Sequence, residues 1–417
     1  METILHAIQL LENNQSDQAM NILQQYYLSA SDDEKFAICE VYMQWGFLAE
    51  ANEALQELID KYPDESELKI MLAQNYVELE DDKAAINILN NIHEEDPAYV
   101  QALLQLADLY QAEGLFEVAE MKLMMAKKLQ PKESIIDFAL GEFFFSTGEF
   151  KRAITYYEKV FKQHKEIANI SIISRLAEAN AASGEYEKAL EFYQKVKSNN
   201  PNELFKHGLT AFYADRKDIA IKVWGKLLDI DPYYHSVYYE LATAYDAEGL
   251  IENAYEVCQK GIEFDEHHKE LQYFAGVLAN KLKDFEASMH YVKKAIELDP
   301  DYQEAILFLV ELLKEDEQYT EIIDLLEQIQ AGDTSDPLYS WELARAYYEE
   351  DFIEKAAEQY EDAYMLLEED PIFLKEYGYF LAEQGKLTEA NIAFTKYLQL
   401  EPSDEEMKEY VQRLSEI

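Results

Sequence analysis

Apolar residues recur at helical spacing in two blocks between positions 100 and 131. The first block places its apolar side chains at i, i+3, i+4 and i+7, on one face of a helix: Leu103, Leu106, Ala107 and Tyr110. A second stripe of the same kind follows at Val118, Ala119, Leu123 and Ala126. Gly114 between the blocks can adopt the left-handed conformation that ends a helix, and Pro131 after them cannot continue one. The segment is therefore predicted to form two helices joined by a tight turn, and a neighbour of the same kind must cover their stripes.

Proline and glycine repeat this arrangement along the chain. All nine prolines fall where a second helix should end or the next first helix should begin: Pro63, Pro97, Pro131, Pro201, Pro232, Pro300, Pro337, Pro371 and Pro402. The first three are 34 residues apart, as are Pro337 and Pro371. One group of glycines falls in the turn within a pair: Gly46, Gly114, Gly148, Gly184, Gly249 and Gly385. A second group falls mid-way along a first helix, where two helices must approach closely: Gly141, Gly208, Gly276 and Gly378.

The 34-residue period with Leu106, Ala107, Tyr110, Ala119 and Pro131 resembles the tetratricopeptide repeat (TPR). The resemblance covers nearly the whole chain and implies an all-α fold, an α-solenoid of about twelve tandem helix-turn-helix repeats forming a right-handed superhelix. The acidic, repeat-only architecture also resembles the YpiA-like family of tetratricopeptide proteins of Gram-positive bacteria.

Nothing resembling a linker divides the chain, so residues 1–417 are predicted to form a single continuous solenoid. Residues 1–31 are expected to form a degenerate N-terminal capping pair, 32–300 regular repeats, 337–402 the last two repeats and 403–417 a C-terminal capping helix. Residues 301–336 form the poorest copy, with Val310 and Ile323 where small residues are usual and a longer exit at 331–336. This degenerate repeat is where a hinge is expected.

The charge balance narrows the classes of partner. Lys plus Arg number 36 against 84 Asp plus Glu, a net charge of −48 that repels nucleic acid and anionic membrane. Cys39 and Cys258 lie far apart within helical patterns and are expected to be small buried residues in a reducing compartment. No basic segment precedes an apolar run near the N-terminus, and no apolar run reaches the roughly 18 residues of a membrane span. A cytoplasmic protein is expected.

Sequence motifs for catalysis, metal binding and phosphate binding are missing. No CxxC, HExxH, GxGxxG or P-loop pattern occurs, and the adjacent His267 and His268 fall in a predicted turn. Carboxylate pairs are frequent because the chain is acidic, and they are expected to form solvated helix surface. Since repeats occupy the whole chain, we expect no enzyme activity, no cofactor and no metal.

In tetratricopeptide proteins the first helices line a concave surface that commonly binds extended or helical peptides, and the resemblance implies the same here. With the small residue of each first helix as reference, the inward row holds the residues three before it, one after it and four after it. Partner contacts are therefore expected from Phe138, Glu142, Phe145, Glu178, Phe205, Leu209, Phe212, Tyr239, Asp246, Tyr273, Trp341, Tyr348 and Tyr379. The rings are expected to lie uncovered by the stack. The alternative is that they belong to the ordinary core.

These features predict a non-catalytic scaffold or adaptor whose acidic, aromatic-lined groove binds a basic or amphipathic segment of a partner protein. The family's dicarboxylate clamp uses Lys and Asn at inward positions, whereas Glu142, Glu178 and Asp246 occupy them here. The alternative function is a ligand-responsive regulatory peptide receptor. An RNA-binding solenoid is less favoured because the groove of this chain lacks a basic lining, and an enzyme-associated subunit is less favoured because the chain contains no motif for one.

The oligomeric state is left open by the sequence, between a monomer and weak self-association. Basic residues cluster between Lys151 and Lys226. This cluster is expected to form either a solvated surface or a site for an acidic partner or for self-association.

Overall fold

The computed structural model describes residues 1–331 and 336–414, and its chain divides into two compact units, Met1–Ser198 and Asn199–Ile417. Unit 1 contains twelve helices and a two-stranded hairpin. Its elements are α1 (Glu2–Glu12), α2 (Ser16–Tyr27), α3 (Asp32–Gln44), α4 (Leu48–Lys61), α5 (Ser66–Glu78), α6 (Asp82–Asn90), α7 (Tyr99–Ala112), α8 (Phe116–Leu129), α9 (Ser134–Ser146), α10 (Phe150–Phe161), β1 (Glu166–Ile167), β2 (Ile170–Ser171), α11 (Ile172–Ala182) and α12 (Tyr186–Tyr193).

Unit 2, in its described residues, is entirely helical. Its elements are α13 (Pro201–Tyr213), α14 (Lys217–Ile230), α15 (Ser236–Ala247), α16 (Ile251–Phe264), α17 (Lys269–Lys281), α18 (Phe285–Leu298), α19 (Gln303–Glu315), α20 (Tyr319–Gln330), α21 (Pro337–Glu349), α22 (Ile353–Leu367), α23 (Pro371–Glu383), α24 (Leu387–Leu400) and α25 (Glu405–Leu414). The protein is thus an all-α repeat protein, as predicted. Odd-numbered helices up to α23 are the first helices of their repeats, and even-numbered helices are the second.

Glycine and proline end and begin the helices as predicted. Gly114, between α7 and α8, has φ +77°, which a glycine adopts without a Cβ clash. Pro201, Pro337 and Pro371 each occupy the first position of a helix, where their missing N–H costs no hydrogen bond. The residue before each of them caps the helix by accepting a backbone N–H. These capping residues are Asn200, Asp336 and Asp370.

The second group of glycines lies at close helix crossings, as predicted. A Cβ built on Gly141 would lie 2.6 Å from Tyr157 Cε1, and one on Gly208 only 2.1 Å from Trp224 Nε1. In both repeats the large ring is the residue 16 positions later, on the second helix. Where the first helix has alanine, as at Ala107, a smaller Leu123 occupies the same position. A large ring on the second helix is therefore accommodated by a glycine, which has no side chain, on the first helix.

A short hairpin interrupts the helices between α10 and α11, and a purely helical pattern does not predict it. Glu166 pairs with Ser171 and Ile167 with Ile170, in antiparallel register. Ala168 and Asn169 between them have φ of 49° and 62°, the left-handed values typical of a tight two-residue hairpin. The following repeat also departs from the predicted length, because α12 ends at Tyr193, well before Pro201.

The degenerate repeat shows a shift in one predicted position. Val310 is buried, and Ile322 lies 12 residues after it, the spacing that separates Ala107 from Ala119. Ile322, and not Ile323, therefore occupies the position where small residues are usual. Residues 332–335 of the predicted hinge and 415–417 of the predicted capping helix lie outside the described residues. The single continuous solenoid and the hinge remain predictions.

Both cysteines are buried and free, Cys39 in unit 1 and Cys258 in unit 2. Burial raises the pKa of the Cys39 thiol to about 12 and that of Cys258 further still. Their thiols are therefore neutral packing groups at physiological pH, as predicted.

Candidate functional site

Two separate sets of contacts define two faces of the helix pairs. First helices contact first helices, as where Arg175 of α11 pairs with Glu142 of α9 and Lys281 of α17 pairs with Asp246 of α15. Second helices contact second helices in the same way, as where Arg152 of α10 pairs with Glu120 of α8. We name the two sides of each unit the first-helix face and the second-helix face. The predicted site residues lie on first helices.

In unit 1 the predicted aromatic residues pack against rings of their own repeat. Phe138 on α9 is only 7% exposed and packs 6.3 Å from the ring of Tyr157. Phe145 is half-buried and meets Phe150 edge-on at 5.5 Å. The expectation that Phe138 lies uncovered by the stack is wrong, because the ring of Tyr157, 16 residues after Gly141, extends over the first helix and covers it.

The predicted carboxylates of unit 1 are engaged within the protein. Tyr157 donates its hydroxyl to Glu142 at 2.6 Å, and Arg175 pairs with both Glu142 at 3.0 Å and Glu178 at 2.9 Å. Burial together with the hydrogen bond to Glu142 raises the pKa of Tyr157 well above its ordinary value. Burial disfavours the Arg175 cation, but the two carboxylates outweigh it and raise its pKa. The pair of Glu142 with Arg175 therefore joins α9 to α11, and both acids leave little free negative charge.

At the start of unit 2 two of the predicted residues, both phenylalanines, pack near Trp224. Phe205 lies 6.4 Å from the Trp224 ring and 5.2 Å from the Tyr234 ring, and Phe212 lies 6.2 Å from the Trp224 ring. Leu209, between the two phenylalanines in sequence, is half-buried. These residues form an aromatic cluster whose outer edges reach solvent.

Farther along the first-helix face, Tyr239 is 37% exposed and packs on Phe274 at 5.5 Å. Tyr273 is half-buried between Tyr302 at 5.3 Å and Phe308 at 5.9 Å. Tyr239 is therefore partly open to solvent, with His268 stacked on its ring at 6.5 Å, while Tyr273 is largely packed. Asp246, the remaining predicted acid, is neutralised by Lys281 at 2.7 Å.

Trp341 on α21 is buried, against expectation. It is 8% exposed, its ring meets Phe373 edge-on at 5.4 Å, and the Arg345 guanidinium lies 4.1 Å from its centre. Its indole Nε1 donates to Glu376 at 2.8 Å. The next first helix, α23, supplies both Phe373 and Glu376 and so covers the ring. The expectation of an uncovered Trp341 is therefore wrong.

A network of charged groups joins α19, α21 and α23. Arg345 donates to Glu376 at 2.8 and 2.5 Å and to Glu342 at 2.6 Å, and Lys314 pairs with Glu342 at 2.9 Å. Glu376 also accepts the Tyr360 hydroxyl at 2.9 Å. Burial raises the pKa of Glu376, but the hydrogen bonds from Arg345, Trp341 and Tyr360 more than offset it, so its pKa is lowered.

The network of unit 2 matches that of unit 1 with the charges exchanged. In unit 1 the carboxylate of Glu142 follows the reference glycine, and Arg175 reaches it from the next first helix. In unit 2 Arg345 follows the reference alanine, and Glu376 reaches it from the next first helix. In each pair the glutamate accepts a hydrogen bond from a tyrosine hydroxyl at the same position of the second helix, Tyr157 in unit 1 and Tyr360 in unit 2. Sequence reasoning missed these ion pairs, although opposite charges at these two positions of consecutive repeats are a signal for them.

Two adjoining cavities lie on the first-helix face near the end of unit 2. One, of about 340 Å³, is lined by Lys314, Tyr319, Arg345, Tyr348, Glu349, Tyr360, Glu376, Tyr379, Phe380 and Glu383. The other, of about 460 Å³, is lined by Pro371, Ile372, Lys375, Glu376, Tyr379, Tyr397 and Glu401. Both volumes fall within the ~300–1,000 Å³ typical of ligand clefts.

Tyr379, shared by both cavities, is 40% exposed and packs on Phe394 at 5.1 Å and Tyr410 at 5.6 Å. Tyr348 is half-buried against Phe380 and donates its hydroxyl to Glu383 at 2.5 Å. Of the predicted residues, the structure thus brings Tyr348 and Tyr379 together on an open part of the face.

The charges around these cavities are unequal. The cations Lys314, Arg345 and Lys375 are each paired with a carboxylate of the protein. Glu349 and Glu401 form no ion pair within the residues that the structure describes. The free charge at the rim is therefore negative.

Metal-binding clusters and membrane-spanning helices are both absent from the part of the chain that the structure describes. Within residues 1–331 and 336–414, no group of three or more His, Cys, Asp or Glu side chains could hold a metal ion. Over those residues, no helix combines the length and apolar character needed to cross a membrane.

Family models match most of the chain in separate segments. A model of YpiA-like C-terminal tetratricopeptide repeats matches residues 337–404, and a model of YpiA-like tetratricopeptide repeats matches 111–165. General tetratricopeptide models match 144–211, 235–268 and 270–302, and a model of the tetratricopeptide repeat protein 21 ARM repeat matches 1–113. Repeats of this class form protein-interaction scaffolds.

Among solved structures, YrrB, described as a TPR protein with an unusual peptide-binding site, is 17% identical with a TM-score of 0.39 and covers 44% of this chain and 95% of its own. MamA from Desulfovibrio magneticus RS-1 is 22% identical with a TM-score of 0.36 and covers 41% and 97%. The Cut9-Hcn1 hetero-tetramer of APC/C is 13% identical with a TM-score of 0.38 and covers 98% and 95%.

The TPR repeat-containing protein YpiA of Bacillus subtilis (strain 168) is 36% identical over 419 residues, which cover 100% of this chain and 99% of that protein. The chain therefore belongs to the YpiA family of tetratricopeptide repeat proteins.

Proposed function

We propose that the protein is a non-catalytic cytoplasmic scaffold that binds a basic or amphipathic segment of a partner protein on the first-helix face of unit 2. The observation that carries the proposal is the pair of adjoining cavities that share Tyr379 and Glu376. A tyrosine ring between two clefts can pack against two successive side chains of a bound segment, and aromatic anchors of this kind dominate protein interfaces.

The charge of the site supports a basic segment. Because Lys314, Arg345 and Lys375 are already paired within the protein, they are poorly placed to bind an acidic ligand. Glu349 and Glu401 at the rim would pair with lysine or arginine of the bound chain. The net charge of −48 adds a long-range field that raises the association rate of a cationic partner.

The ion-pair network beneath the cavities would keep the site rigid. Arg345 and Glu376 hold α21 and α23 in one register, with Tyr360 as a third contact. A preorganised surface loses less conformational entropy when it binds. Glu376 and Arg345 are therefore positioning residues, while Tyr348 and Tyr379 would touch the partner.

Site-specific photocrosslinking in cells tests this proposal. A benzophenone amino acid replaces Tyr379 in one variant and Met365, which is 76% exposed on the second helix α22, in a control variant. We expect a discrete crosslinked partner from position 379 and none from 365, and mass spectrometry then identifies the crosslinked segment. Equal crosslinking at both positions, or an acidic crosslinked segment, would count against the proposal.

A further inference from the structure

A larger groove lies on the opposite, second-helix face of unit 2. It has a volume of about 720 Å³ and lies between the second helices α18 and α20, with α19 beneath them. Its apolar lining comes from all three helices: Ile296, Leu309, Leu313, Leu325 and Ile329. None of these residues belongs to the cavities around Tyr379. The groove is therefore a separate site.

The groove has a cause in the degenerate repeat. Other repeats carry alanine, glycine or another small residue where α19 has Val310 and α20 has Ile322, and both of these larger side chains are buried. Two branched side chains at a helix crossing keep the helix axes apart. Accordingly, α19 and α20 pack less closely than the two helices of any other repeat in the described part of the chain. Their separation leaves a groove whose half-buried apolar walls are Ile296, Leu325 and Ile329, with Leu309 and Leu313 of α19 buried beneath it.

The rim of the groove is acidic. Four carboxylates and one cation line it: Glu297, Asp301, Glu321, Asp324 and Lys293. Lys293 pairs with Glu321 at 3.4 Å, and Glu297 pairs with Lys294 at 2.6 Å. Among the described residues Asp301 and Asp324 form no ion pair, so their charges remain available to a ligand. Half-buried apolar walls beside unpaired carboxylates are complementary to an apolar stripe flanked by lysine or arginine.

We propose that this groove binds an amphipathic helix of a partner protein, with apolar residues at i, i+3, i+4 and i+7 and basic residues beside them. Two second helices of successive repeats form its walls, and a third helix packs between such walls by placing its ridges in their grooves. Among the residues that the structure describes, no strand edge lines the groove, so main-chain pairing with an extended peptide has no template there. An α-helix satisfies its backbone hydrogen bonds internally, so it can place apolar side chains in the groove and basic side chains beside the carboxylates of the rim.

A second copy of this chain is a poor occupant. Each copy carries a net charge of −48, so two copies repel one another at low ionic strength. The unpaired Asp301 and Asp324 would also face an acidic surface over most of a second copy. A cationic helix gains from the same field.

The probe for this site is a fluorescein-labelled peptide of about four helical turns, with leucine at i, i+3, i+4 and i+7 and lysine or arginine at most other positions. Fluorescence anisotropy measures its affinity for the full chain. Leu325→Gln with Ile329→Gln removes apolar walls, and Gln328→Trp fills the groove with an exposed residue whose replacement spares the core. We expect each to weaken binding at least about tenfold. Leu298→Gln, on α18 outside the groove, is the matched control and should bind like the wild type.

Three outcomes would overturn the proposal. A scrambled peptide of the same composition that binds equally well would show that charge alone is recognised. Unchanged affinity of the Gln328→Trp variant would place the peptide elsewhere. A concentration-dependent dimer that this substitution dissociates would make a second copy the occupant. Photocrosslinking at position 379 does not use this peptide, so failure here and failure of the site around Tyr379 can be distinguished.

Discussion

At the scale of single residues, size matching between glycine and an aromatic ring decides how closely the helices of a pair pack. Gly208 on α13 faces the fully buried Trp224, whereas a methyl group placed on Gly225, on α14 itself, would meet no atom within 4 Å. The two glycines lie on consecutive helices, but a side chain would have no room at Gly208 and open space at Gly225. Glycine is required at the first and costs stability at the second.

We expect Gly208→Ala to lower the free energy of unfolding by about 1–3 kcal/mol, because the new methyl group overlaps the indole. Gly225→Ala should raise it by about 0.5–1 kcal/mol, because alanine favours the helix and meets open space. Chemical denaturation monitored by circular dichroism measures both. The double variant Gly208→Ala with Trp224→Leu should lose less than the sum of its single changes, since it recreates the Ala107 and Leu123 arrangement. Strict additivity would contradict the size matching.

The charged network makes a pH-dependent contribution to stability. The pKa of Glu376 is lowered in the folded protein, so its contribution is fully present above the pKa of an unfolded glutamate. It is lost as the pH falls through the lowered folded value. We therefore expect Glu376→Gln to cost about 1–3 kcal/mol at pH 7 and progressively less below about pH 4. Denaturation at several pH values checks this, with Glu358→Gln, an exposed position of α22, as the control. A difference that grows on acidification would be contrary to the account.

Residue positions on a helix face were predictable, but burial was not. Spacing placed Phe138, Tyr239 and Trp341 on the first-helix face, where the structure has them. Whether a ring is covered depends on neighbouring helices: Tyr157 covers Phe138, and Phe373 with Glu376 covers Trp341. The sequence of a single repeat does not show which residues of neighbouring helices will cover a ring.

At the scale of elements, helix ends followed from local chemistry. Glycine at positive φ and proline at the first helical position have the same effect in any surroundings, so their positions located those turns. Six other turns within pairs place a residue other than glycine, such as Asp215 or Lys283, at positive φ and carried no such mark. The hairpin at β1 and β2 depends instead on Ala168 and Asn169 adopting left-handed conformations, which alanine rarely does. The chain between Tyr193 and Pro201 has no such marker either, and its loss of helix was not predicted.

The closing helix α25 is held by Asp404. This carboxylate accepts the Met407 N–H at 3.0 Å, the Lys375 ammonium at 2.8 Å and the Tyr397 hydroxyl at 2.8 Å. Together, with the Lys375 bond the largest, these contacts lower the pKa of Asp404 to about 2. The contribution is therefore present above the ordinary aspartate pKa and is lost between about pH 4 and about pH 2.

We expect Lys375→Met to speed hydrogen exchange of the α25 amides at neutral pH, because it removes the largest interaction of Asp404. Lys408→Met, which removes only the exposed pair with Glu405, should leave that exchange unchanged. Hydrogen exchange read by mass spectrometry on peptides of α25 compares the two variants with the wild type. If both variants behave alike, Asp404 does not dock the helix.

At the scale of the whole molecule, the repeat class and the family were accessible from the sequence because period and composition are spread over the entire chain. The groove between α18 and α20 was not, since it arises from a departure from the repeat, Val310 and Ile322 at one helix crossing. The predicted acidic lining was also only partly right. Glu142, Glu178 and Asp246 are paired within the protein, so the net negative charge of the chain is larger than the unpaired charge on its first-helix faces.

The most direct test is the affinity of the partner segment crosslinked at position 379, measured by calorimetry as a synthetic peptide against three forms of the chain. We expect Tyr348→Ala with Tyr379→Ala to weaken binding at least about tenfold and Met365→Ala to bind like the wild type. All three should unfold at similar temperatures, and wild-type affinity should fall as salt is raised. Wild-type affinity in the double tyrosine variant, or affinity that is independent of salt, would contradict a partner site on the first-helix face of unit 2.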